Sequence, residues 1–99
     1  MNFKVSLSHN AIKNIDNSIE YYILEANKKV AQNFLKDFKE VYKALEKNPF
    51  YQFHDLNYRF LPFKKFPYIV FYIIDEANKN VLINAVFHTS QNPKKISKT

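Results

Sequence analysis

No glycine occurs in these 99 residues, and that absence constrains the fold more than any residue that is present. Glycine enters left-handed backbone without steric cost, and an average chain carries about 7% of it. Without it, helix ends and hairpins must be turned by Asn, Asp or Pro. Asn27, Asn48, Asn78 and Asn80 stand where such breaks are expected. The same absence excludes the glycine-dependent phosphate cradles, including the P-loop and the dinucleotide fingerprint.

Cysteine is also missing. Disulfide frameworks, thiol nucleophiles and cysteine-ligated zinc are therefore excluded. A chain of this length makes one domain, 1–99, with a small core. Ten Phe and seven Tyr can fill that core without metal or cross-link, because each ring buries a large area. MNFKVSLSHN shows neither a long apolar segment nor a small-residue cleavage site, so no signal peptide is expected. The longest apolar run, Phe66–Ile74, falls well short of the roughly 20 residues a membrane helix needs. We expect a cytoplasmic protein that does not engage the membrane. The formal charge of +6 and pI near 9.5 favour an acidic or polyanionic partner, although biased gene composition would also produce a lysine-rich chain.

Apolar periodicity divides the chain in two. Phe3, Val5 and Leu7 alternate with polar residues, which predicts a short strand. Ser8 can cap the helix that follows. Its stripe is Ile12, Ile15, Ile19, Tyr22, Ile23 and Ala26. After a break at Asn27-Lys28-Lys29, a second helix is predicted over about Lys29 to Lys47. Val30, Phe34, Phe38, Val41 and Leu45 form its stripe, and Lys36, Asp37, Lys39, Glu40, Lys43 and Glu46 lie on its outer face. Asn48-Pro49 stops it. From Leu56 to Leu61 the period becomes two, and Pro62 ends that strand or marks an edge. A turn at Lys64 to Pro67, a central strand Tyr68–Ile74, a loop Asp75 to Asn80 and a strand Val81–His88 follow. Asn92-Pro93 opens a basic tail, with 93–99 expected to be flexible. The predicted fold is α+β: an N-terminal strand, an antiparallel two-helix hairpin, then a three-strand antiparallel meander, with the helices packed on one sheet face.

Three stretches in this order, "KNP" closing the second helix, "YRFLPFKKFPYIVFYIID" in the meander and "NAVFHTSQNP" at the end, resemble the RelE/ParE superfamily of type II toxin–antitoxin toxins. The resemblance runs from about Lys4 to Pro93. It implies a small bacterial cytosolic growth-inhibiting toxin, of the kind found in plasmid-stabilization modules. A cognate antitoxin would neutralise it in a hetero-oligomer through an acidic, flexible tail. In the RelE-like branch such a toxin cuts messenger RNA on the ribosome without metal or cofactor. In the ParE-like branch it poisons DNA gyrase and needs no hydrolytic centre.

Metal-free RNA cleavage needs a base, an acid and cations on the crowded phosphate. Arg59, the only arginine, could grip a phosphate bidentately, and His88 is of the residue type that most often serves as general acid or base. These two are the catalytic candidates of the RelE-like reading. Arg59, Lys64, Lys65, Tyr72 and His88 are the candidates for target or antitoxin binding, and Arg59, Tyr72 and His88 could converge on one sheet face. Each has a plainer reading: a solvated charge for Arg59, Lys64 and Lys65, core for Tyr72, an edge or cap for His88. His54 and Asp55 are read as neighbours in a loop, and His9 as a turn cap. The nuclease branch carries more cations than this chain does. The segment after His88, Thr89-Ser90-Gln91-Asn92, holds no arginine, and no tyrosine follows Tyr72. The ParE-like branch is therefore favoured. A third reading, a non-toxic basic nucleic-acid-binding module, would use sheet aromatics to stack bases.

Overall fold

The structure, a computed structural model, describes residues 2–55 and 58–89, with the backbone alone at 52–55. Leu56, Asn57 and the tail with Lys94, Lys95 and Lys98 lie outside the described residues.

The chain runs β1 (Lys4–Leu7), α1 (His9–Glu25), α2 (Lys28–Lys47), β2 (Gln52–Asp55), β3 (Tyr58–Pro62), β4 (Tyr68–Asp75) and β5 (Asn80–His88). Ser8 caps α1, its hydroxyl accepting from the Ala11 amide at 3.1 Å. Asn27 repeats that arrangement for α2, its side-chain oxygen accepting from Val30 N–H at 3.0 Å. Because Asn27 satisfies an orphan amide of α2 from within the link itself, a short connection suffices between the helices. At the β4–β5 turn the left-handed residue is Lys79, with φ of 55°, a conformation in which a side chain costs about 1 kcal/mol relative to glycine.

The sheet order is β1-β5-β4-β3-β2. The expected three-strand antiparallel meander is β3-β4-β5, and β2 adds a further strand at its edge. His54 and Asp55 belong to the edge strand β2 rather than to a loop. β1 pairs with β5 in parallel, and the remaining pairs are antiparallel. Pro62 ends β3, as a residue without an amide donor should.

Tyr68, Val70 and Tyr72 turn one face of β4 toward the helices and are buried there with Phe34, Phe38, Val41 and Leu45 of α2 and Ile15 of α1. Phe34 is the hub. Its ring lies within 5.7 Å of those of Tyr22, Phe63, Phe66 and Tyr68. On the opposite face Phe71 meets Phe60 at 6.1 Å and Phe87 at 5.7 Å.

β5 carries a bulge. Phe71 pairs with Ala85 and Tyr72 with Ile83, which leaves Asn84 as the extra residue. The Asn84 carbonyl accepts from Ser8 Oγ at 3.0 Å and Asn10 Nδ2 at 3.2 Å, anchoring the start of α1. The bulge also shifts the alternation by one. Val81 and Ile83 face the helices before it, and Val86 and His88 face them after it.

Candidate functional site

Arg59 lies directly opposite Tyr72 in the β3–β4 ladder, on the face that carries the helices but at its rim. The guanidinium Nη1 donates to the Tyr51 carbonyl at 2.7 Å, and its carbon sits 5.3 Å from the centre of the Phe50 ring. Tyr72 is 0% exposed, and its hydroxyl donates to the Pro49 carbonyl at 2.7 Å. Burial pushes that hydroxyl up to about 12, against the opposing pull of a Tyr51 backbone hydrogen bond and of Arg59. The segment 49–51, leading out of α2, is thus strapped to the sheet by both side chains. Sequence reasoning offered Tyr72 as a binding residue; the structure places its side chain beneath the strap, fully buried.

His88 ends β5 opposite Tyr68, their rings 5.0 Å apart. A cleft of ≈ 520 Å³ opens beside it, between α1 and the strand ends, with Asn14, Asn17, Ser18 and Tyr21 on its helical wall. The Tyr22 hydroxyl, hydrogen-bonded to that of Tyr68, is held above the ordinary tyrosine range, first by burial and then by this neighbour. The cleft is polar and partly aromatic, suited to a hydrogen-bonding partner.

Arg59, Tyr72 and His88 do share a sheet face, but they do not converge. Arg59 pairs with Tyr72 on one side of β4, whereas His88 pairs with Tyr68 on the other. Four residues of strand rise and two interstrand spacings separate the Arg59 and His88 Cα atoms by roughly 16 Å.

Lys64 and Lys65 lie exposed on the β3–β4 turn. Their position is fixed by a residue that sequence reasoning placed on the outer face of the second helix. Asp37 is buried, 4% exposed, and its Oδ2 accepts the amides of Lys65 at 2.8 Å and Phe66 at 2.7 Å. The spacing Phe34–Asp37–Val41 is helical and would have placed Asp37 on the inner stripe. Among the described residues no group of three His, Asp or Glu side chains is gathered as a metal would require. None of the described helices is long and apolar enough to cross a membrane.

The family of ParE toxins of type II toxin–antitoxin systems (parDE) matches residues 5–93. This chain belongs to the ParE toxin family. It is a type II toxin of RelE/ParE fold, as the order of its motifs implied. No curated protein matches it. Among solved structures, the chain is similar to the chromosomal ParDE toxin–antitoxin system from P. aeruginosa. The TM-score is 0.74 at 16% identity, covering 87% of this chain and 95% of that one. It is also similar to the toxin–antitoxin complex RelBE2 from Mycobacterium tuberculosis, with TM-score 0.60 at 13% identity, covering 89% and 99%. At such identities the likeness is one of fold. In this ParE-family chain the matched span ends beyond His88 and takes in the strap, the cleft and the β3–β4 turn.

Proposed function

We propose that this ParE-family toxin arrests growth by binding a cellular target, DNA gyrase, and not by cutting RNA. We further propose that a cognate acidic antitoxin neutralises it in a cytoplasmic hetero-oligomer. One observation carries the choice of binding over cleavage. The two residues that an RNA-cleaving centre would recruit, Arg59 and His88, lie on the strands that flank β4, four residues apart along it, with Cα atoms separated by roughly 16 Å. In-line cleavage needs its acid, base and cation within hydrogen-bond reach of one phosphate. The family match favours the ParE branch, and both similar structures come from toxin–antitoxin systems, which supports the antitoxin partner. In this reading Arg59, Lys64, Lys65 and His88 belong to the surface that meets target or antitoxin, and Tyr72 positions the strap beneath it.

The test is purified gyrase turning over supercoiled plasmid in the presence of the toxin. Accumulation of linear, protein-linked DNA, suppressed by prior addition of the antitoxin, is the expected result. Unimpaired gyrase at a toxin concentration that stops growth would rule out this target.

A further inference from the structure

A second constellation shares Lys64 and Lys65 with the proposed contact surface but lies away from both the strap and the His88 cleft. Lys36, Lys39 and Lys43 project from α2 at helical spacing and form one wall of a groove of ≈ 720 Å³. Lys64 and Lys65 on the β3–β4 turn form the other wall. With Asp37 and Glu40 also lining it, five amines against two carboxylates leave three positive charges in excess. That is half the formal charge of the chain, +6, gathered at one place. Among the described residues none of the five lysines is held in an ion pair.

The groove is built, not incidental. The buried Asp37 carboxylate ties the amides of Lys65 and Phe66 to α2, which holds the backbone of the turn beside the helix. Lys36 and Lys43 are seven residues apart, about 10 Å along the helix axis. That length spans about two or three successive phosphates of one duplex strand.

We propose that this groove binds the phosphate backbone of a nucleic-acid duplex, without reading its sequence. Lysine offers a point charge, not the planar fork that reads guanine edges, and the groove contains no arginine. Its one aromatic residue is the half-buried Phe66. Single-strand binders rely on several stacking platforms, whereas a duplex keeps its bases stacked inside and carries its phosphates on the outside. A docked protein segment would need apolar anchors in well-packed pockets. Of the exposed apolar side chains of α1, none lines this groove, and Ile23 and Leu24 line a different depression.

The experiment is fluorescence anisotropy of the purified chain with a labelled DNA duplex of about 20 base pairs, over a salt series. Neither gyrase nor antitoxin enters it, so its failure is separable from that of the target reading. Replacing Lys39, Lys43 and Lys64 together by Gln should reduce the slope of log affinity against log salt by about one per lysine. A control triple, Lys4→Gln, Lys13→Gln and Lys79→Gln, removes the same charge outside the groove and should leave most of the slope intact. Circular dichroism confirms that both variants are folded. Equal losses in the two triples would reduce the effect to bulk charge and overturn the site. Tighter binding of a single strand, or of a polyglutamate peptide, at matched charge would overturn the duplex as its occupant.

Discussion

Arg59 and Tyr72 face one another across the β3–β4 ladder, and both end on the same strap, Arg59 on the Tyr51 carbonyl and Tyr72 on that of Pro49. The chain's sole arginine therefore has a structural task as well as a surface position. It fixes the stretch by which the second helix re-enters the sheet.

Replacing Arg59 by Ala removes a charge-assisted hydrogen bond and the contact with Phe50. Because both are partly solvated, the expected loss is about 1 kcal/mol, read as a shift of the urea midpoint at unchanged slope. Arg59→Lys should recover only part of it, since an ammonium does not reproduce the planar fork. A variant as stable as the parent would show that the strap stands without Arg59.

Tyr72 gives the fold a dependence on alkaline pH. Its folded-state hydroxyl titrates near 12 instead of 10, so the native state holds the proton that the unfolded state has lost. This contribution is complete below the unfolded value and fades as pH climbs from about 10 toward about 12. Tyr72→Phe should be less stable at neutral pH by about 1 kcal/mol, through the lost bond to Pro49. It should also show a shallower loss of stability over that alkaline window. Denaturant titrations at a series of pH values measure both effects, and parallel pH profiles for parent and variant would contradict the assignment.

Asp37 accepts two backbone amides from a buried position. Asp37→Ala leaves both donors without a partner and should cost about 2–3 kcal/mol. Asp37→Asn keeps one acceptor and should cost less. Hydrogen exchange at Lys65 and Phe66 should accelerate in the Ala variant, while β4 core amides such as Val70 keep their protection relative to global stability. Unchanged exchange at the turn would mean that it is held by other contacts.

Phe34 is fully buried at the centre of four ring contacts. Phe34→Ala should cost about 3–5 kcal/mol, a large share of the roughly 5–15 kcal/mol that holds a domain together. Thermal melting would show a much lowered midpoint or no cooperative transition.

The helices were legible because their signals are local. Ser8 and Asn27 cap where the sequence placed breaks, and α2 ends at Lys47 before Asn48-Pro49. β4 and β5 begin and end within one residue of their apolar runs. β2 was missed because Gln52–Asp55 is a four-residue edge strand, defined by its pairing with β3 and not by any period of its own. Lys79 gave no warning of its left-handed backbone, a place where Asn78 or Asn80 was the natural expectation. The site was harder to read for one physical reason. The Asn84 bulge reverses which side of β5 faces the helices, so alternation counted from Val81 would send His88 to the wrong face. Its separation from Arg59 followed from sheet register, which no local pattern encodes.

As proposed, this toxin arrests growth without cutting RNA. The most direct measurement is primer extension across several abundant messengers within minutes of inducing the toxin in cells. Transcripts that remain full length while growth has stopped are the predicted result. New ribosome-dependent 5′ ends that disappear in the Arg59→Ala and His88→Ala variants would contradict it.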